Sequence, residues 1–457
     1  MSSAGPKVRW GKRFLRIRII YKKISGSYWF RPFLLIILGL FLSRAVLLVD
    51  QTLHGLGYDL ESQWWVAWFS PLDSVRNVLV NSASVLLGLF GVLLSLALIP
   101  LTIATSSYGN VILSNFLRDK GTQNVIGYFA LVIFYDVTTS IALPPIITAD
   151  NYPGISVTLS LLFLMGALIA TVYFFNHIAH LLQATYVSKS VADELMHELE
   201  GSFVEDPVEL DEGRRKELDA LRETIVERGV VVRSTGHGYV SGVDHHYIMN
   251  KAELVDATVL ILKLPGDYVA QGEPLAKYLA KGQVRPRAFS RVVNRAYILG
   301  VSRTVMQDID FGVQLLATIA SRALSPALND PVTATICIDK IGQVLSKAAS
   351  MSARSPYFLD ERGELRLIAD PDDFESLMAT GFNQIRQYGC RAYEVMCHAL
   401  QAIETISYAA RSPHDREVIR CHADLIMQEA LCNLTSEWSK EQVMAAYRSA
   451  VQAIGPP

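Results

Sequence analysis

The run from Ile155 to Phe175 contains no charged residue. A helix of roughly 20 apolar residues crosses a bilayer, so this stretch is long enough to be a span. Three further runs of that kind lie at about 32–49, 74–103 and 124–147, and the last span is placed at about 155–176. Together they predict a four-helix transmembrane domain over residues 32–183. No Gly or Pro cluster follows Phe175, and apolar residues keep helical spacing past Val191 to Leu195. The spacing therefore predicts one helix from Ile155 to about Glu200, which leaves the membrane and joins two halves. A hydrophobic content of 51% over 457 residues agrees with a membrane protein of more than one domain.

The charges predict an orientation. Residues 1–31 form a basic tail, with Lys7, Arg9, Lys12, Arg13, Arg16, Arg18, Lys22, Lys23 and Arg31 and no acid, too long for a cleaved signal peptide. The connection from Asp50 to Asp73 holds acids and no Lys or Arg, the second connection holds Arg118 and Lys120, and the third has no Lys or Arg. The positive-inside rule then puts both termini in the cytoplasm. Trp64 to Phe69 reads as an interfacial helix, and Ser70, Pro71 and Asp73 read as the start of the second long helix. A net charge of -2 gives no argument for nucleic acid, and none is expected as a partner. The five cysteines, Cys337, Cys390, Cys397, Cys421 and Cys432, form no Cys-x-x-Cys pair and read as reduced cytosolic thiols.

Within the spans, two ionisable residues stand out. Asp136 lies near the middle of the third span and Arg44 interrupts the first. An acid at that depth costs at least about 2.5 kcal/mol on insertion scales and marks a functional or paired group. A structural Arg44–Asp136 pair and an ion-conducting Asp136 both remain open. Asn81, Ser84, Gly88, Gly91 and Ser95 share one face of the second helix, which suits either close helix packing or the wall of a water path. His177 and His180 share a face at the inner boundary of the fourth span, as anchors or as a protonation-linked gate.

Past Glu200 the composition turns polar. Residues 184–228 read as a helical connector with a solvated acidic piece, Glu205 to Glu212. Residues 229–284 change to strand periodicity and predict a small β-barrel-like module. Its segment Leu264 to Leu275 resembles the turn of biotinyl and lipoyl carrier domains, but the carrier's lysine hairpin tip has no counterpart here. Residues 285–457 read as a helical cytosolic domain with a β-hairpin near 357–368, a long helix from Asp370 to about Ala410, and a last helix capped by Ser439 and Gln442. The expected class is thus a mainly α membrane protein with a cytosolic α+β region. His237, His245 and His246 lack the company a metal site needs, and Cys397-His398 and Cys421-His422 each offer one ligand per helix face. No metal and no cofactor is expected. Arg287, Arg291 and Arg295, with Arg285 before them, recur every four residues as a ridge, either solvated or turned to anionic lipid headgroups.

The most specific stretch runs from Arg303 through Gln307, Asp308, Asp310 and Gly312 to Arg322, Ser325, Pro326, Asn329, Asp330, Pro331 and Asp339. Physically, Ser325-Pro326 ends one helix and Asp330-Pro331 caps the next. Arg322 is placed to meet Asp330 across the turn, with Arg303, Asp308 and Asp310 as candidates for the same cluster. With the four spans, the His-Ile-Ala at residues 177–179 and the Pro-Gly-Asp turn at 265–267, this motif resembles the bacterial predicted membrane protein family known as domain of unknown function 2254. The resemblance covers nearly the whole chain and implies a bacterial inner-membrane protein; it lends no activity. His245 and His246 depart from it.

No nucleotide loop, nucleophile elbow or zinc-protease motif is present in the sequence, so an enzyme built on residues 322–330 is the weakest of three expectations. The first is an oligomeric channel- or transport-type protein whose cytosolic domain senses or gates. The second is a membrane-anchored scaffold or signal sensor, also a homo-oligomer in the bilayer.

Overall fold

The structure, a computed structural model, describes residues 27, 29–56, 74–108, 119–145, 147, 152–181, 183–201, 212–282, 285–351, 355–370 and 373–455. The basic tail up to Lys23, the stretches Trp64 to Phe69 and Ser70 to Asp73, Arg118 and most of the acidic piece before Glu212 lie outside the described residues. The chain divides into two units, Met1–Tyr186 and Val187–Pro457.

The N-terminal unit holds four helices long and apolar enough to cross a membrane: α1 (Phe30–Gly55), α2 (Val75–Tyr108), α3 (Lys120–Ala142) and α4 (Gly154–Leu181). The third is the one the others surround, since 61% of its apolar window is buried against 11% for the first and 28% for the second and fourth. Close approach depends on glycine: a Cβ on Gly39 would lie 2.5 Å from the Leu131 carbonyl oxygen, so the backbones of α1 and α3 meet there. Asp119 caps the start of α3 by accepting from Thr122 N. Arg76 closes its other end, donating to the carbonyls of Ser140, Leu143 and Pro144 at 2.9, 3.0 and 2.8 Å, a cation at the negative end of the helix dipole. That helix stops at Ala142, short of the expected 147, because Pro144 and Pro145 follow.

The single helix expected from Ile155 to Glu200 is interrupted. α4 ends at Leu181 and α5 (Ala184–Gly201) starts anew. Gln183 N donates to His180 O at 3.1 Å, a tightened i→i−3 turn that closes the first helix.

In the C-terminal unit, α6 (Glu212–Arg228) is followed by β1 (Val230–Arg233), β2 (Gly238–Val243), α7 (His245–Glu253), β3 (Ala257–Ile261), β4 (Tyr268–Val269), β5 (Pro274–Ala280), α8 (Pro286–Ala296) and β6 (Tyr297–Gly300). A helical layer comes next: α9 (Ile309–Ala323), α10 (Pro331–Ala349), α11 (Phe374–Gly389), α12 (Tyr393–Ser407), α13 (Pro413–Asn433) and α14 (Glu437–Ile454), with the hairpin β7 (Tyr357–Leu359) and β8 (Leu365–Ile368) between α10 and α11. The strands pair as two sheets, β1-β5-β3-β8-β7 and β4-β2-β6. These pairings describe two sheets with edge strands, and the barrel-like form expected of residues 229–284 is not shown. The hairpin is no appendage of the helical layer, because β8 runs parallel to β3 and extends its sheet.

Nor is α6 merely a linker. Its Leu218 and Ile225 are buried with Leu260, Tyr357, Leu365 and Ile368, and Arg222 clamps Asp370 with two bonds of 2.8 Å. The long helix expected from Asp370 to Ala410 is two helices, since α11 ends at Gly389, whose added Cβ would press within 2.9 Å of Val395. The last helix starts one turn earlier than expected, with Ser436 accepting from Ser439 N.

Candidate functional site

In the N-terminal unit the candidate is Asp136, fully buried on α3. The α2 residue Ser82 donates to its Oδ2 at 2.7 Å. Ser160 of α4 faces the carboxylate without a hydrogen bond of acceptable geometry, so Ser160 Oγ and Asp136 Oδ1 are both buried and unpartnered among the described residues. A polar seam continues towards the start of α4. Thr139 donates to Ser43 at 3.0 Å, Tyr135 donates to the Ser156 carbonyl at 3.0 Å, and Ser156 Oγ donates to Asp50 Oδ2 at 2.6 Å. Asp50 also accepts the backbone N–H groups of Ile155 and Ser156. It therefore binds the open N-terminus of α4, where a carboxylate satisfies free donors and the dipole together.

Arg44 is not part of this seam. It is exposed and makes no ion pair or hydrogen bond among the described residues. The reason is helical geometry: Ser43 is the α1 residue turned to α3, and its neighbour points about 100° away. The Arg44–Asp136 pair is thus not formed. Asn81, Ser84, Gly88, Gly91 and Ser95 are also exposed, while Leu79, Ser82, Ala83, Leu86 and Leu93 make the inward face of α2. A Cβ on Gly88 or Gly91 would meet nothing within 4 Å. These residues neither pack helices together nor line a path inside this protomer.

At the Asp119 end of α3, His177 Nε2 lies 2.7 Å from Asp119 Oδ2. Tyr173 stacks on the imidazole at 5.4 Å. Gly121 makes room, since a Cβ there would collide with the ring. Sequence reading flagged the histidine but missed its acid.

In the C-terminal unit the long motif folds as two separate pieces. The first is a knot at the start of α9. Arg303 Nε and Nη2 grip Asp308 Oδ2 and Oδ1 at 2.9 and 2.8 Å, Nη2 reaches Asp310 Oδ2 at 3.2 Å, and Nη1 reaches Gln314 at 3.3 Å. Asp308 is also the N-cap, accepting from Phe311 N at 2.9 Å, and Thr380 of α11 donates to Asp310 Oδ1 at 2.6 Å. The Arg303 guanidinium lies 4.9 Å from the Phe311 ring centroid. Every carboxylate oxygen in the knot has a partner.

The Pro265-Gly266-Asp267 turn closes over it. Gly266 has φ +95, and a Cβ there would sit 2.5 Å from Asp308 Oδ2, so only glycine fits. Gln307 takes a left-handed φ of 58, accepts from Val243 N at 2.8 Å and donates its own N–H to Glu198 at 3.3 Å. One residue thereby ties β2 and α5 to the knot, at the local backbone cost such a conformation carries.

The second piece is a surface turn. Arg322, Pro326, Asn329, Asp330 and Asp339 are exposed, and Arg322 and Asp330 form no ion pair. Asp330 accepts from Thr333 N as the N-cap of α10, with Pro331 in its first turn. Those bonds from Thr333 hold its carboxyl below the ordinary carboxylate range. Asn329 sits at φ 46 with its N–H on the Ser325 carbonyl at 2.9 Å. The two pieces are at opposite ends of a helix of about 22 Å, from 15 residues at 1.5 Å rise, so no single cluster holds both.

Arg285, Arg287, Arg291 and Arg295 are exposed along α8, opposite its buried Phe289, Val293 and Ala296. His245 opens α7 with its ring against Phe358. Among the described residues no three His, Cys, Asp or Glu side chains are grouped to hold a metal ion.

Four helices long and apolar enough to cross a membrane, followed by an α+β unit, are the pattern of a membrane protein. The chain belongs to the family described as predicted membrane protein (DUF2254), which matches residues 25–405. It is similar to an uncharacterized protein of Mycobacterium bovis and to one of Mycobacterium tuberculosis, each 26% identical over 447 residues, covering 97% of this chain and 83% of the relative. No solved structure matches.

Proposed function

We propose that this is a transport-type protein of the bacterial inner membrane, moving a proton or small cation by way of Asp136, with the C-terminal unit as its cytosolic sensing or gating part. The observation that carries the reading is a fully buried carboxylate, Asp136, that among the described residues meets serine hydroxyls and no cation, within a bundle of apolar helices. An acid placed there without a cation is costly. It becomes serviceable when the carboxylate takes up a proton or a small cation. Both termini are cytoplasmic in this reading, supported by the basic tail and by outer connections without Lys or Arg. The outward small-residue face of α2 supports assembly of several copies.

The test is ion and proton flux into liposomes reconstituted with the full chain, parent beside Asp136→Asn. Flux in the parent and its loss in the variant is the expected result. Absence of flux in the parent overturns the reading in favour of a membrane-anchored scaffold or sensor. That second reading has its own support in the fully buried Phe129, Val132 and Tyr135, which fill the bundle around the acid.

A further inference from the structure

From Lys281 to Gln307 the chain carries Lys281, Arg285, Arg287, Arg291, Arg295 and Arg303 and not one acid, in a protein whose net charge is -2. Arg303 is consumed by the knot. The cations of α8 are disposed differently: the helix buries Phe289, Val293 and Ala296 and turns Arg287, Arg291 and Arg295 outward, with Arg285 at its N-cap. Among the described residues Arg285, Arg287 and Arg291 form no ion pair. β1, on which α8 packs, adds the exposed Arg233, and its tie to the helix is made by Asn294, which donates to the Arg233 carbonyl at 2.9 Å and not by any acid. Arg222, Arg303, Arg366 and Arg386 are paired with carboxylates, whereas among the described residues Arg285, Arg287 and Arg291 are not.

We infer that the outer face of α8 is a docking surface for the phosphate headgroups of anionic phospholipids. Two observations favour a bilayer over other polyanions. The arginine spacing gives a ridge of guanidinium groups along one helix, which matches a plane of phosphates. The C-terminal unit also follows the fourth apolar helix with only residues 182–183 between helices, so chain continuity keeps it within reach of the membrane surface. Each cation close to such a surface is worth roughly fivefold in local binding, from about 1 kcal/mol per Lys or Arg. The ridge therefore fastens the C-terminal unit to the leaflet in a manner set by lipid charge. This inference does not depend on whether Asp136 conducts.

The test is arginine footprinting of the full chain in nanodiscs, with phenylglyoxal adducts read by mass spectrometry. Discs of phosphatidylcholine alone are compared with discs that contain about one-third phosphatidylglycerol. Modification of Arg287 and Arg291 is expected to slow several-fold in the anionic discs and to recover in about half-molar salt, where screening is short-ranged. The exposed Arg448 on α14 serves as the reference and stays constant. Equal rates in the two lipids overturn the inference. So does slowing by duplex DNA or by inorganic phosphate in phosphatidylcholine discs without slowing by phosphatidylglycerol, because the face would then read a polyanion or a free anion and not a membrane.

Discussion

Two buried acids, one in each unit, are treated in opposite ways. Asp308 accepts two arginine bonds and a backbone N–H, and both its oxygens are saturated. Asp136 is at least as buried, yet it has one serine donor, no cation among the described residues and one oxygen with no partner. Saturated buried charge holds a fold in one arrangement, and its loss leaves a stranded group. Unsaturated buried charge is free to accept something that arrives. The contrast sets a residue whose removal should cost stability against one that the proposed transport would use.

The strongest way to break that comparison is to remove the cation from the saturated pair. Arg303→Ala leaves Asp308 buried alone, a change expected to cost roughly 3–5 kcal/mol, near the lower end because the Arg303 side chain is 24% exposed. Arg303→Lys keeps the charge but loses the two-pronged grip and should fall between the two. Melting of the purified protein measures both. A melting point for Arg303→Ala within a degree or two of the parent would mean that the knot does not secure the C-terminal unit.

A second expected effect belongs to the same unit and is read by pH. Burial, with Arg386 nearby, lowers His422 from the ordinary 6.5 to about 4. The unfolded chain then takes up a proton at this position before the folded one does. Stability contributed by neutral His422 is full above pH 6.5, falls as the pH drops towards 4 and levels off below. At roughly 1.4 kcal/mol per pH unit of difference, the loss across that window is of the order of a few kcal/mol. His422→Phe should flatten the acid limb of a denaturant-midpoint profile, and an unchanged limb would assign the acid sensitivity elsewhere.

Much of this was legible in the sequence, and the part that was not has a common cause. Span existence, the arginine ridge and the cap at Asp330 follow from local spacing along one helix. What a side chain meets across an interface does not. Arg44 and Asp136 are at compatible depths, but the turn between Ser43 and Arg44 decides which of them faces α3. Ser82 and Ser160 carry no signal of their own, being small hydroxyls in apolar runs, and only the packing of α2 and α4 on α3 brings both to Asp136. The long motif looked like one cluster because its residues are dense in sequence; the intervening helix α9 pulls it into a knot and a surface turn. Gly266 shows the reverse case, where a turn residue far from the motif proves to be fitted to it.

A smaller effect is expected at the exposed turn. Asp330→Ala removes a helix N-cap and should cost about 1 kcal/mol. Because Arg322 has no bond to it, Arg322→Ala should stay within about 0.5 kcal/mol of the parent. The carboxyl is held low by Thr333, so its contribution is present above the unfolded-state value and is lost as the pH falls through the folded one. Chemical denaturation of the two single variants and the double variant decides the matter. Additive losses agree with an unpaired turn, whereas a coupling above about 1 kcal/mol would reveal an interaction between Arg322 and Asp330 in solution.

The smallest stability effect is expected where the functional effect is largest. Asp136→Asn replaces the unpartnered oxygen with an amide that has two donors, one of which can meet Ser160 Oγ while the remaining oxygen still accepts from Ser82. The exchange removes a buried charge but leaves one amide N–H without a named partner, two effects that oppose, so the melting point should stay within the equivalent of about 1 kcal/mol of the parent. Asp136→Leu, which removes the acceptor of Ser82, should cost more than Asn does. If Asp136→Asn instead unfolds the N-terminal unit as Arg303→Ala is expected to damage the C-terminal one, then Asp136 has a cationic partner outside the described residues. It would then belong with Asp308 as a structural acid, and the difference between the two units would disappear.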